Sequence, residues 1–171
     1  MTAGDRVAVT VTVDVPPDVA FDAFTREIDL WWRRGIKFRA SGGRTATPGV
    51  LTLEPRRDGR VFEEYAGPSG PAVHEIGRVT TWEPPARVGF TWHATNFVAG
   101  ESTQVDVTFT PTDSGATRVE LVHAGFAALR PDHPVRHGES PPVFVRRLGM
   151  WWGDLLSSLR EHVATRVTPG G

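Results

Sequence analysis

The run from Gly77 to Trp92 constrains the fold more than any other part of the chain. Val79, Thr80, Thr81 and Trp82 lead into Glu83-Pro84-Pro85, and Val88, Phe90, Thr91 and Trp92 follow. β-Branched and aromatic residues of this kind favour strands. Proline has a fixed φ and no N–H, so neither run continues through the two prolines. The two runs must therefore fold back on each other as an antiparallel hairpin.

The same signal extends to either side. Val50–Glu54, Arg60–Tyr65, His74–Trp82, Arg87–Thr95, Thr103–Thr110 and Thr117–Ala124 all read as strands. Turn-forming segments separate several of them: Asp58-Gly59, suited to φ > 0 hairpin geometry, Gly67–Pro71, and Pro111–Gly115. Earlier, Val7, Val9, Val11 and Val13 alternate with Ala8, Thr10, Thr12 and Asp14, the period of a strand with one buried face. Pro16-Pro17 ends that strand. A short helix is expected from Asp18 through Phe24, and a second carrying Ile28, Leu30, Trp31 and Trp32. Residues 40–48 read as a loop and 127–140, with Pro131, Pro134 and Gly138, as an irregular insert. After Ser140, a favoured N-cap, Phe144, Leu148, Trp152, Leu155, Leu159 and Val163 recur at steps of three and four. They form one apolar stripe on a helix of about six turns.

An antiparallel sheet with one apolar face needs a cover, and only this last helix is long enough to supply it. The expected class is α+β: a curved antiparallel sheet wrapped around a long C-terminal helix, with two short helices after the first strand. One domain is expected over residues 1–171, ordered from about 6 to 166. The space between sheet and helix is where a ligand can sit.

Bulk composition excludes several functions. Lys+Arg number 19 and Asp+Glu 20, for a net charge of -1, so no basic excess calls for nucleic acid or an anionic membrane. Cysteine is absent, which removes disulfides and thiolate chemistry. No run approaches the roughly 20 apolar residues of a membrane span. Met1–Arg6 lacks the apolar core of a signal peptide, so a cytoplasmic location is expected. A phosphate-binding glycine loop, a nucleophile elbow and a zinc-protease motif are also missing.

The element order, together with Trp31-Trp32, Gly59–Glu63, Gly77–Pro85, Phe90-Thr91-Trp92, His123–Phe126 and Trp152 with Leu155-Leu156, resembles the START-like (SRPBCC) superfamily. Within it, the chain resembles the group related to the activator of the heat-shock-protein-90 ATPase. The resemblance spans residues 7–165. It implies a helix-grip fold with a hydrophobic cavity between sheet and long helix. It implies no single activity, since relatives include lipid carriers, polyketide cyclases and aromatases, and hydroxylase components. The chain departs from the common pattern in having two adjacent tryptophans, Trp151 and Trp152, and a longer insert at 127–140. Spacing to Leu155 favours Trp152 as the family position.

Trp31, Trp32, Trp92 and Trp152 either wall a pocket for a flat or apolar ligand or simply fill the core. Phe38, Tyr65, Ile76, Phe109 and Leu155 complete the candidate lining. His123 continues the inward face of Val119 and Leu121. It either polarises a ligand or is a hydrogen-bonded core histidine. By alternation Arg78 shares a face with His74, Ile76, Thr80 and Trp82. If that face is inward, Arg78 can clamp a carboxylate; otherwise it pairs with Glu63 or Glu120, or is solvated. His133 and His137 stand four apart, but Pro134 argues against the helix a metal site would need, leaving a solvated loop able to act as a lid. Arg33, Arg34, Lys37, Arg39 and Arg44 make a locally basic region, read as a solvated face or an attraction for an acidic ligand.

The expected function is binding of a small hydrophobic or aromatic ligand in the cavity, without catalysis, metal or cofactor. One alternative is an enzyme of the polyketide cyclase or aromatase type, with His123 or Arg78 polarising a carbonyl. The other is an interaction module regulating a chaperone ATPase, with the chaperone as partner. Monomer and homodimer are both open.

Overall fold

A computed structural model of the chain describes residues 5–33, 38, 49–93 and 97–166. Strand β1 (Arg6–Val13) is followed by helices α1 (Pro17–Thr25) and α2 (Ile28–Trp31). Strands β2 (Val50–Leu53), β3 (Arg60–Gly67), β4 (Gly70–Glu83), β5 (Arg87–Trp92), β6 (Thr103–Pro111) and β7 (Thr117–Ala124) come next. Helix α3 (Pro141–Ala164) ends the described chain. The seven described strands form one antiparallel sheet in the order β1-β7-β6-β5-β4-β3-β2. Each neighbour in sequence is a neighbour in space except β1, which crosses to pair with β7. This is the helix-grip α+β fold.

The Pro-Pro turn behaves as its chemistry dictates. The Pro84–Pro85 peptide is cis, and Ala86 N–H donates to the Glu83 carbonyl at 2.8 Å. Asp58 takes the expected positive φ (61°), whereas the β3–β4 connection tightens to Pro68-Ser69, with Gly67 opposite Gly70.

Strand β4 departs from strict alternation. Val61 pairs with Gly77 but Phe62 with Glu75, so Ile76 is an extra residue; Val79 pairs with Phe90 but Thr81 with Gly89, so Thr80 is another. Two bulges turn the strand, and each reverses which side chains face inward. Ile76 and Val79 are both fully buried while Arg78 is exposed. Ile76 and Arg78 therefore do not share a face, contrary to the expectation from alternation. Gly77 is required at the first bulge: a Cβ there would lie 1.7 Å from the Thr91 carbonyl oxygen.

Helix α3 buries Phe144, Leu148, Trp152, Leu155, Leu156, Leu159 and Val163 and packs along β1. Each such side chain contributes about 1.5–3 kcal/mol on burial. Ser140 holds the N-cap position without a side-chain cap bond; Pro141 and Pro142 have no N–H to offer it. Ser158 Oγ donates to the Trp31 carbonyl at 2.6 Å and Arg33 Nε to the Asp154 carbonyl at 3.1 Å, fixing α2 on α3. No helix among the described residues is long and apolar enough to cross a membrane.

Candidate functional site

Three elements bring aromatic side chains to one place. Helix α2 and its C-cap supply Trp31 and Trp32, β5 supplies Trp92, and α3 supplies Trp151 and Trp152. Trp32 lies 6.0 Å from Trp92 (22° between planes), 5.7 Å from Trp151 and 5.8 Å from Trp152. Phe38 stacks on Trp151 at 6.4 Å and 21°, and its carbonyl accepts from Trp32 Nε1 at 2.6 Å. The cluster is graded in exposure. Trp152 and Trp31 are at 0% and 1% accessible and Trp32 and Trp92 at 5% and 8%, while Trp151 and Phe38 are only half-buried. Trp152 thus takes the buried position expected of it. Trp151, one residue and about 100° further round the helix, forms the outer layer.

His123 sits beneath this cluster, with 2% of its surface exposed. Trp152 Nε1–H donates to its Nδ1 at 3.1 Å. Indole nitrogen only donates, so Nδ1 is unprotonated and the ring proton sits on Nε2. Nε2 then donates to Thr103 Oγ1 at 2.7 Å, and that hydroxyl donates to the Trp92 carbonyl at 3.2 Å. The chain Trp152–His123–Thr103–Trp92 ties α3 to β7, β6 and β5 with every donor used. Burial drives the His123 pKa down to about 3, so the imidazole is neutral. Both nitrogens are occupied within the protein, leaving this ring no free group for proton transfer.

The other predicted residues are dispersed. Phe109 packs against Phe21 (5.2 Å) and Phe24 (5.8 Å), and reaches the cluster through the Phe24 contact with Trp31 at 5.2 Å. Leu155 and Ile76 are fully buried. Tyr65 is half-buried on β3. Arg78 projects to solvent, paired with Glu75 and donating to the Asp58 carbonyl at 3.3 Å. Its partner lies on its own strand: Glu63 is buried opposite His74, and Glu120 is on β7, three strands away from β4. Of the basic region, Arg33 pairs with Glu161 at 3.8 Å; Arg34, Lys37, Arg39 and Arg44 lie outside the described residues, as does the predicted loop 40–48.

The structure corrects the expectation of a solvated loop at His133 but not at His137, which is exposed. His133 is 1% exposed. Its Nδ1 accepts from Val135 N–H at 3.1 Å, capping a short 3-10 turn at Pro134–Arg136. Its ring meets Phe97 edge-on at 4.4 Å. Nε2 stands 3.3 Å from Glu101 Oε1, within ion-pair range but not aligned as a hydrogen bond. Glu101 also accepts from Val98 N–H and from Arg130, and these contacts, the backbone bond foremost, hold its pKa below the usual carboxylate value. The insert is pinned to the β5–β6 connection, beside an open depression of about 340 Å³ lined by His93, Phe97 and residues 98–102. Among the described residues no three His, Asp or Glu side chains come together as a metal site.

Sequence reasoning missed two residues here. Trp151 is left undecided against its neighbour Trp152 and is absent from the candidate lining. Glu63, considered only as a partner for Arg78, is 4% exposed on the inner face of β3, between Leu51 and His74 in register. Its alternation with Val61 and Tyr65 was the available signal.

Residues 14–142 match the family described as "Activator of Hsp90 ATPase homolog 1-like protein". Among solved structures, the chain is similar to an Hsp90 activator from Plasmodium falciparum (TM-score 0.60, 19% identity, 94% of this chain and 96% of that one). It is similar to a protein from Nitrosomonas europaea (TM-score 0.61, 14% identity, 97% and 98% coverage). It is also similar to DynU16, a putative protein in the dynemicin biosynthetic locus (TM-score 0.51, 24% identity, 94% and 48% coverage). At these identities the likeness carries the fold. No curated protein matches the chain.

Proposed function

The chain belongs to the family of Activator of Hsp90 ATPase homolog 1-like proteins, and from that premise we propose that it is a binding domain for a small apolar or aromatic molecule. The observation that carries this reading is the graded aromatic cluster. Trp152, Trp31, Trp32 and Trp92 make a rigid base, while Trp151 and Phe38 keep part of their surface open above it. A scaffold needs only the base. Half-exposed aromatic rings stacked on a buried aromatic layer are the kind of surface that gains by covering itself with a ligand, at about 25 cal/mol per Å² before the costs of association. The binding is non-catalytic in this reading: His123, the best candidate for carbonyl chemistry, has both nitrogens engaged and is held neutral.

The test is a titration with small aromatic compounds, followed by tryptophan fluorescence, in the native protein and in Trp151→Ala. Saturable quenching that weakens at least about tenfold in the variant supports the reading. Absence of saturable quenching by any probe, or equal affinity in the variant, refutes it. The family description and the Plasmodium neighbour favour a second reading, contact with an Hsp90-type chaperone. Stimulation of that chaperone's ATPase by the purified protein would support it, and an unchanged rate would count against it.

A further inference from the structure

Only two buried side-chain nitrogens among the described residues have no hydrogen-bond partner, His133 Nε2 and Arg136 Nε, and both belong to the short turn in the insert. Other buried polar side chains are engaged. Asp5 accepts from Ala127 N–H, Thr25 donates to the Phe21 carbonyl at 2.8 Å, and Thr117 donates to the Val15 carbonyl at 2.8 Å. A buried donor without a partner is costly and rare. The turn therefore holds an arrangement of its bonds that a small change can improve.

The geometry of His133 shows what that change is. Its Nδ1 accepts from Val135 N–H at 3.1 Å, so Nδ1 carries no proton and the single ring N–H is at Nε2. That nitrogen stands 3.3 Å from Glu101 Oε1 without being aligned to bond it. Glu101 is itself held, by Val98 N–H at 2.9 Å and by Arg130 Nε at 3.3 Å, so alignment has to come from the ring. The cap keeps the ring where it is and leaves its donor unused. A second proton enters at Nδ1, the atom that caps. Val135 N–H then loses its acceptor, and the ring becomes a cation beside a carboxylate, where a charge-assisted bond is the stronger one. Glu101 stays ionised in mild acid, because its contacts, the Val98 N–H foremost, hold its pKa below the usual carboxylate value.

The charges around this ring come from three elements. The β5–β6 connection supplies Glu101 and, in the same depression, His93, whose pKa burial and then His74 hold below the ordinary histidine value. The insert supplies Arg130, Arg136, and the exposed Asp132 and His137. Helix α3 supplies Arg147, whose Nη2 donates to the Val135 carbonyl at 2.9 Å and whose Nε donates to Glu139 at 2.7 Å. Val135 is thus held at both ends of its peptide groups: His133 at the N–H, Arg147 at the carbonyl.

We propose that His133 is a proton-operated latch on the insert: protonation releases Val135 N–H, turns the ring onto Glu101 and opens the turn Pro134–Arg136, loosening its tie to Arg147. The turn then has two states, capped when the ring is neutral and open when it is charged. The change reaches α3 one helical turn before Trp151. The latch operates whether or not the domain binds a small molecule.

The test reads the ring and the turn together, by nitrogen NMR of His133 and by amide hydrogen exchange corrected for intrinsic rates, between pH 7.5 and pH 5. At pH 7.5 the ring should carry its proton on Nε2. As it takes up the second proton, Val135 should lose protection at least about fivefold, the worth of one N-cap. Arg136 and His137, whose N–H groups close the turn on the His133 and Pro134 carbonyls at 3.0 Å each, should lose protection with it. His133→Asn is the control: asparagine is a favoured N-cap and does not titrate, so Val135 should stay protected at both pH values while the acid response of His123 remains. A ring with its proton on Nδ1, a ring still neutral at pH 5, or protonation with the three amides unchanged would overturn the latch. So would an equal loss of protection in His133→Asn. Should that variant lose its cooperative unfolding transition, Glu101→Gln decides. It keeps an acceptor for Val98 N–H but lacks the charge that draws the ring, and at pH 5 must retain more Val135 protection than the native protein; an equal or greater loss overturns the proposal.

Discussion

Acidification should destabilise the native protein by an amount set largely by His123. The folded pKa is about 3, and that of the unfolded chain is near the ordinary histidine value of about 6.5. The folded pKa is depressed for a base, so below about pH 6.5 the unfolded state binds a proton that the folded state refuses, and stability falls with pH. With 1.36 kcal/mol per pKa unit, the loss relative to pH 8 is about 2 kcal/mol at pH 5 and about 3 kcal/mol at pH 4. It levels off below pH 3, at an order-of-magnitude total of about 5 kcal/mol. Carboxylates such as Glu101 titrate over part of the same range, so the assay is a comparison. Urea unfolding is followed at pH 8, 6.5, 5 and 4 for the native protein and for His123→Asn. The variant keeps an acceptor for Trp152 but does not titrate. At pH 8 it should be less stable by about 1–3 kcal/mol, from the lost ring volume and the broken Thr103 link. At pH 5 that gap should have shrunk by about 2 kcal/mol. A gap independent of pH would mean that His123 ionises normally in the folded protein, and the sealed Trp152–His123–Thr103 chain would be refuted.

The two adjacent tryptophans should separate in stability measurements. Trp152→Ala should cost about 3–5 kcal/mol, the range for a fully buried aromatic, and Trp151→Ala clearly less, both read from urea midpoints. Gly77→Ala should lower the melting temperature steeply, because its Cβ would collide with the Thr91 carbonyl oxygen 1.7 Å away; a near-neutral change would show that the β4 bulge is misplaced. Arg78→Ala should shift stability by no more than about 1 kcal/mol, the range of surface pairs, and should leave binding of every aromatic probe unchanged.

What could be read from the sequence depended on whether the signal was local. The α3 stripe from Phe144 to Val163 and the Glu83-Pro84-Pro85 turn specify their own geometry, so helix, hairpin and the antiparallel meander followed without tertiary information, whereas the crossing of β1 to pair with β7 did not. The β4 bulges did not follow. Alternation is a pattern of period two, and an extra residue at Ile76 or Thr80 leaves no mark beyond a glycine at 77. That is why Arg78 was considered for the interior. His133 looked solvated because its neighbours are prolines and charges, yet what buries it are Phe97 and Glu101, from a distant loop. His123 was placed inward correctly by alternation with Val119 and Leu121. Its partners, Trp152 and Thr103, come from two other elements, so its hydrogen-bonded place in the core was open until they met. Which of Trp151 and Trp152 faces the ligand space is open in the sequence for a related reason: Trp151 sits next to a stronger core position, and its contacts with Phe38 and Trp92 decide its part in the cluster.

The central claim, that the graded aromatic cluster receives an apolar ligand, is tested most directly by the indole N–H signals of the six tryptophans in a nitrogen–proton NMR titration with 2-phenylethylamine. The account predicts saturable shifts for Trp151, Trp32 and Trp92. Trp82, packed against Phe21 at 5.0 Å on another part of the core, should stay still. Saturable shifts confined to Trp82, or no saturable shift at Trp151, would contradict it.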